Sequence, residues 1–405
     1  MTRPGSFRSR LWYEWMAHLG GVAVLSGVQL ISPALPALAE RFALSDSQLS
    51  LVVSVYLIPA ALASIPAGML ADRIGRRWVF GGGLCLFGLA SLLLPLVAPS
   101  SFGALLAMRF LQGLGFAPAF PLTITILGDL YRGRALVKAQ GRRVVILHVA
   151  DGGYPILGGI LVGFFWLAPW YLQAVSLPVG LLVLFTFRDW VSLGGRGGIG
   201  AIRWLWRSVR LRGAFALHYV GFVRFFVKYS LLSYLPLLLV GSRGMTAAEV
   251  GLMLGVASLC GILGAAGSGL LARLGPASRW LVLGMVVQGL VMAFMVFGSG
   301  IWILMTAAVA YGVADGILGT FVNSYLASIT APEHRAGLVA TNGAIKNLGK
   351  LAAPVLMGFL VLVAPISTGF AAVAMLGVVS APAAASLRVY DSRLSRRLNP
   401  EGDQF

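Results

Sequence analysis

The sequence predicts an all-α membrane protein: twelve transmembrane helices in two pseudo-symmetric bundles of six. Three observations carry this reading. Of 405 residues, 58% are hydrophobic and only 11% are Asp, Glu, Lys or Arg, against roughly 25% charged in an ordinary soluble domain. Twelve apolar runs each reach the roughly 20 residues that a bilayer-crossing helix needs. The 31 Lys and Arg cluster in the short segments between those runs. So little charge, with a mean hydropathy of +0.88, excludes a soluble enzyme, a disordered chain and a fibrous repeat. The 52 Gly and 19 Pro follow no collagen triplet.

The spans are read at 16–38, 50–71, 78–98, 102–127, 143–167, 170–187, 214–240, 247–272, 280–298, 301–326, 338–364 and 367–387. Internal Pro and Gly are tolerated because neighbouring helices and polar side chains satisfy the freed backbone groups. The runs are too long for barrel strands and lack period-two alternation. Arg3, Arg8 and Arg10 precede the first run, and Ala37-Leu38-Ala39 resembles a signal-peptidase site. The run exceeds a signal core of about 7–15 residues, so it is read as an uncleaved first span. Cys85 and Cys260 sit in separate apolar runs and suggest packing; no metal-ligand spacing is visible.

Basic residues orient the chain. Alternate loops and both termini hold 24 of the 31 Lys and Arg, whereas the opposite side holds only Arg41 and Arg243. The positive-inside rule then places both termini in the cytoplasm, as expected in a bacterial-type inner membrane. It also accounts for the net charge of +18 without nucleic acid as a partner. The expected organisation is a six-helix bundle at 1–187, a linker at 188–213, a second bundle at 214–390 and a tail at 391–405. Within the linker, Arg203, Arg207 and Arg210 have helical spacing beside Trp204 and Trp206, as in an amphipathic helix lying on the bilayer surface.

The halves resemble each other. Arg134-Ala-Leu-Val-Lys-Ala-Gln-Gly141 at span 5 is echoed by Arg335-Ala-Gly-Leu-Val-Ala-Thr-Asn-Gly343 at span 11, and Pro155 by Pro354. Parallel six-helix repeats build transporters whose solute site lies near the bilayer midplane.

Between spans 2 and 3 the chain reads Gly68-Met-Leu-Ala-Asp72-Arg73-Ile-Gly75-Arg76-Arg77. This resembles the loop signature of the major facilitator superfamily, G-x-L-A-D-R-x-G-R-K/R, at every fixed position. Gly68 suits close helix approach, Gly75 a tight turn, and Asp72 a position facing a helix N-terminus. In the second half, Gly269-Leu-Leu-Ala-Arg273-Leu-Gly275 lacks the aspartate. Span 4 carries Arg109-Phe-Leu-Gln112-Gly113-Leu-Gly115, similar to the superfamily motif R-x-x-Q-G-x-G. Span 5 carries Asp151-Gly-Gly-Tyr154-Pro155-Ile-Leu-Gly158-Gly159, which matches the drug-exporter signature G-P-x-x-G-G except that Tyr154 replaces its first Gly. Trp170-Tyr-Leu-Gln-Ala-Val-Ser-Leu-Pro178-Val-Gly180 resembles the start of span 6 in those exporters. The likeness covers nearly the whole chain, most specifically 50–180.

The resemblance implies the superfamily fold, with spans 1, 4, 7 and 10 lining a central cavity. It implies a gate of Gly68, Asp72, Arg73, Gly75, Arg76 and Arg77, with Asp129 paired to Arg73, and a role for Arg109 in proton transfer.

Seven ionisable residues lie within spans: Arg109, Asp151, Arg224, Lys228, Asp315, Lys346 and Lys350. Each costs roughly 2.5–3.5 kcal/mol to insert and is a functional candidate for that reason. The substrate-binding set is Arg109, Gln112, Arg224, Lys228, Tyr229, Gln29, Tyr311 and Asn323. Proton coupling needs a group that titrates in its buried setting; the candidates are Asp315, Asp151 and Arg109. No nucleotide loop, serine nucleophile or metal cluster is visible, so neither an enzyme nor a bound cofactor is expected; a proton gradient would supply energy. The reading is a monomeric, proton-coupled exporter of a small amphiphilic molecule. The alternative is an organic-anion symporter or exchanger for carboxylates or phosphate esters, suggested by the excess of interior cations.

Overall fold

The computed structural model describes residues 7–98, 101–189, 213–298, 300–328 and 332–392. The linker helix expected at 201–212 lies outside them, as does the tail beyond 392. Among the described residues every regular element is helical. Eleven helices are long and apolar enough to cross a membrane, and twelve when one bent pair counts as a single span.

Span 1 runs from α1 (Phe7–Gln29) into α2 (Leu35–Phe42), and span 2 is the bent pair α3 (Asp46–Leu62) and α4 (Ser64–Ile74). Ser45 and Gln48 form a reciprocal capping box at the start of α3. The bend of 52° has a local cause. Pro66 has no N–H to return to the carbonyl of Leu62, so the helix restarts with proline in its first turn, where that N–H has no helical partner anyway. Spans 3 to 5 are α5 (Arg76–Val97), α6 (Phe102–Leu130) and α7 (Gly133–Phe164), and span 6 is α8 (Ala168–Gln173) with α9 (Ser176–Thr186). Spans 7 to 11 are α10 (Ala214–Arg243), α11 (Ala247–Leu274), α12 (Ala277–Phe297), α13 (Ile301–Ser328) and α14 (Pro332–Val363). Span 12 is α15 (Ile366–Val379), α16 (Ala381–Ala385) and a 3-10 turn at Ser386–Tyr390.

The chain forms two compact units. The first is Met1–Gly198 with Leu239–Gly255, and the second is Ile199–Leu238 with Val256–Phe405. The cut falls within the 188–213 segment, but the end of span 7 and the start of span 8 group with the first unit rather than with the second half.

The repeat is visible in the packing of each unit. In the first, span 3 packs on spans 4 and 6; in the second, span 9 packs on spans 10 and 12. Corresponding helices start about 200 residues apart. A Cβ added at Gly83 on span 3 would lie 2.8 Å from the carbonyl oxygen of Gly115 on span 4. A Cβ at Gly284, the equivalent place on span 9, would lie 2.8 Å from Leu318 on span 10. Small residues bring these backbones together where lipid supplies no hydrophobic drive for helix association.

Candidate functional site

Three polar assemblies stand out. The first is at the junction of spans 2 and 3. Gly75 has φ +104°, a conformation that costs glycine little. The turn it makes aims the first N–H groups of α5 at Asp189: Arg76 N and Arg77 N donate to Asp189 Oδ1 at 2.8 and 3.1 Å. A carboxylate here meets the positive end of a 22-residue helix, worth about 0.3–1 kcal/mol. The Arg76 side chain pairs with Asp129, donates from Nη1 to the Thr125 carbonyl at 3.2 Å, and lies 3.8 Å from Asp72.

These contacts correct three expectations. The partner of Asp129 is Arg76, whereas Arg73 is exposed. The carboxylate at the helix N-terminus is Asp189 rather than Asp72. Gly68 makes no close approach, because a Cβ there would meet nothing within 4 Å. Arg77 lies beside Trp78, 5.0 Å from its ring centroid. The second unit repeats the cap: Asp391 accepts from Ser278 N at 3.2 Å and Ser278 Oγ at 2.6 Å at the start of α12, and also from the Tyr325 hydroxyl. Any side chain at position 75 would be strained and would meet Asp189. Gly75→Ala is therefore expected to cost about 1–3 kcal/mol, read as a lowered melting temperature of the purified protein.

The second assembly is a buried polar network in the first unit. Arg109 Nε donates to the Val52 carbonyl at 2.9 Å, and Nη1 donates to Gln112 Oε1 at 2.8 Å. Gln112 Nε2 donates to Ser91 Oγ at 2.7 Å and to Gln173 Oε1 at 2.9 Å. Gln173 Nε2 donates to the Ser26 carbonyl at 2.9 Å. One chain of hydrogen bonds thus joins spans 1, 2, 3, 4 and 6. The Arg109 guanidinium carbon also lies 4.5 Å from the Tyr56 ring centroid. Arg109 and Gln112 are both 0% exposed, with these polar groups turned on one another. Beside the network, Gln29 Nε2 donates to Asp151 Oδ1 at 2.8 Å. Tyr154, the departure from the exporter signature, donates to the Val22 carbonyl at 2.8 Å and so ties span 5 to span 1. At the mouth of span 1, buried Glu14 accepts from Tyr131 Oη at 2.7 Å and Arg142 Nε at 2.8 Å. Burial, then the hydrogen bond and charge of Glu14, push the Tyr131 phenol up to about 12.

The third assembly is in the second unit. Arg224 on span 7 grips Asp315 on span 10 in a fork, with Nε to Oδ1 at 2.6 Å and Nη2 to Oδ2 at 2.8 Å. Gln288 Nε2 on span 9 donates to the same carboxylate at 3.2 Å. Gly319 leaves the space for the guanidinium, since a Cβ there would lie 2.8 Å from both terminal nitrogens. Lys346 and Lys350 on span 11 turn toward span 7: their ammonium groups lie 5.9 and 5.1 Å from the Phe225 ring centroid. Lys350 is also 5.7 Å from the centroid of Tyr229. Lys228 is half-buried, Tyr229 and Tyr311 are buried, and Asn323 is exposed. Among the described residues no group of three or more His, Cys, Asp or Glu could hold a metal ion.

Two matches to the sequence pattern of the Major Facilitator Superfamily, over residues 17–283 and 217–404, together cover most of the chain. The chain belongs to the Major Facilitator Superfamily. Its long apolar helices make it an integral membrane protein. It is 34% identical over 170 residues to the multidrug resistance protein MdtL of Klebsiella pneumoniae (strain 342), covering 40% of this chain and 42% of that one. It is 29% identical over 148 residues to the bacillibactin exporter of Bacillus subtilis (strain 168), covering 35% and 37%. It therefore spans well under half the length of these curated relatives. Among solved structures it resembles a bacterial homolog of the human lysosomal transporter Spinster, with TM-score 0.74, 16% identity and 98% of both chains covered. It also resembles the nucleoside transporter NupG, with TM-score 0.76, 12% identity and 94% and 99% covered. At these identities the structures share the superfamily's fold with this chain.

Within this superfamily member, the structure brings together Arg224 with Asp315, Arg109 with Gln112, Gln29 with Asp151, and Arg76 with Asp129. Sequence reasoning missed Asp189, Asp391, Ser91, Gln173, Gln288 and Phe225. The aspartates lie 112–113 residues from the helices they cap, so local pattern carries no trace of them. For the amides one signal existed: a glutamine inside an apolar span needs a partner as much as a charge does.

Proposed function

We propose that this transporter exports a small amphiphilic molecule by alternating access, driven by exchange for protons across a bacterial-type inner membrane, with both termini cytoplasmic. The observation that carries the reading is the Arg224–Asp315 fork, a carboxylate and a guanidinium joined across two spans well inside the bilayer. Protonation of Asp315 removes the charge that holds Arg224. The guanidinium then has to find a new partner, which couples a proton to a rearrangement of spans 7 and 10. Export is supported by the relatives, which are named as multidrug resistance proteins and a bacillibactin exporter. In this account Arg109, Gln112 and Gln29 act as the buried frame of the first unit. Asp151 is the second titratable candidate, and the assembly of Asp72, Arg76, Asp129 and Asp189 is the gate.

An organic-anion symporter or exchanger is the second reading, favoured by the lysines that converge on Phe225. The sign of proton linkage separates the two. In proteoliposomes with an imposed pH gradient, antiport accumulates ethidium or fluorescein on the acidic side, and collapse of the gradient by an ionophore abolishes the accumulation. Accumulation on the alkaline side identifies symport. Flux of both dyes that ignores the gradient rejects proton coupling altogether.

A further inference from the structure

Phe225 is surrounded by cations. The guanidinium carbon of Arg224 lies 5.3 Å from its ring centroid, and the ammonium groups of Lys346 and Lys350 lie 5.9 and 5.1 Å from it. The charge of Arg224 is matched by Asp315. Among the described residues no carboxylate oxygen lies within 4.0 Å of the Lys346 ammonium. A cation–π contact returns less than the insertion of a lysine into the bilayer costs.

Two complementary stripes frame the place. Asn342, Lys346 and Lys350 follow one another at four-residue spacing on span 11, and His218, Phe222, Phe225 and Tyr229 do so at three to four residues on span 7. Gly349 packs on the Phe222 backbone, which holds the two helices close. Asn342 Nδ2 donates to the Leu217 carbonyl at 3.4 Å and lies 3.2 Å from His218 Nδ1, whereas the buried Asn342 Oδ1 and His218 Nε2 have no hydrogen-bond partner among the described residues.

We propose that the Lys346–Phe225–Lys350 face binds an organic anion with an aromatic or apolar body. The acid is held between the two ammonium groups, and the body lies against the rings of Phe225 and Tyr229. The anion gives Lys346 the close carboxylate partner that no described residue places within 4.0 Å of it. This deepens the second reading of the proposed function, an organic-anion carrier whose lysines converge on Phe225, and rests on it, but it holds whichever way the proton moves. An acidic lipid headgroup is another source of the same charge, and depth argues against it. The apolar part of span 11 begins at Thr341. With a helical rise of about 1.5 Å per residue, Lys350 sits about 14 Å deeper, near the middle of a hydrocarbon core of about 30 Å.

The test is equilibrium binding of two probes, naphthoate and naphthylmethylammonium, to full-length protein in phosphatidylcholine nanodiscs without a pH gradient. Naphthoate is expected to bind at least about 10-fold more tightly than the amine. Lys346→Gln and Lys350→Gln should each weaken naphthoate at least about 10-fold, roughly 1.4 kcal/mol, whereas Lys346→Arg should retain it. Melting curves of all variants exclude a simple loss of fold. Repeating the titration with phosphatidylglycerol in the discs separates the sources: retained naphthoate affinity supports a solute site, and its loss there assigns the face to lipid and overturns the proposal. Equal or tighter binding of the amine overturns it as well, as does naphthoate affinity unchanged within two-fold in Lys346→Gln. Because no gradient is present, failure of proton-driven flux leaves this result untouched.

Discussion

Asp315→Asn is expected to abolish gradient-driven transport and to destabilise the second unit at the same time. The pair is nearly enclosed, with side-chain exposures of 11% for Arg224 and 13% for Asp315. Removing one partner of a buried pair leaves an uncompensated charge, a loss of about 3–5 kcal/mol. Asparagine keeps one acceptor oxygen for Gln288 or Arg224 but neither the charge nor the fork. Its melting temperature should fall, and solute accumulation under a pH gradient should vanish, while solute–solute exchange persists. The double variant Arg224→Met with Asp315→Asn should recover much of the stability, because it removes the orphaned charge, yet it should stay uncoupled. Stability that does not recover would show that the two residues do not act as a pair, since coupled partners give non-additive effects.

Gln112→Leu is expected to be the most damaging change in the first unit. Gln112 is the hub of the network: it accepts from Arg109 and donates to Ser91 and Gln173. Its loss strands Arg109 Nη1 and Gln173 Oε1 in a buried setting. Each buried group left unpaired costs about 1–3 kcal/mol, for a total of about 2–6 kcal/mol. Arg109→Met should cost less, because it deletes the expensive charge along with the hydrogen bonds. Thermal unfolding of the two variants side by side tests this, and a larger loss in Arg109→Met would show that the arginine, not the amide, organises the network.

Much of this was legible in the sequence because the bilayer leaves so few options. Span length is fixed by membrane thickness, so the twelve runs map onto helices with modest changes of boundary. Even the break in span 2 has a local cause in Pro66. The chain signature between spans 2 and 3 marked out the assembly around Arg76, and the φ of Gly75 shows why that glycine is there. Pairings across the fold were not legible. Arg73 and Arg76 are equally near Asp129 in sequence terms. Only the turn at Gly75 decides that Arg73 ends on an exposed face of α4 while Arg76 opens α5 beside span 4. Likewise, helical spacing shows that Lys346 and Lys350 share a face, but their facing Phe225 is a fact of how span 11 meets span 7. Asp189 and Asp391 could not be read because each caps a helix more than a hundred residues earlier.

The account turns on Asp315 as the proton-carrying group of a carrier, and proton movement itself is the direct readout. Weakly buffered proteoliposomes holding a pH-sensitive dye would be given ethidium and then, separately, naphthoate. Wild-type protein is predicted to move protons only while one of these solutes crosses, and Asp315→Asn to pass the same solute by exchange with no proton signal. Proton movement of equal size in Asp315→Asn would contradict the account.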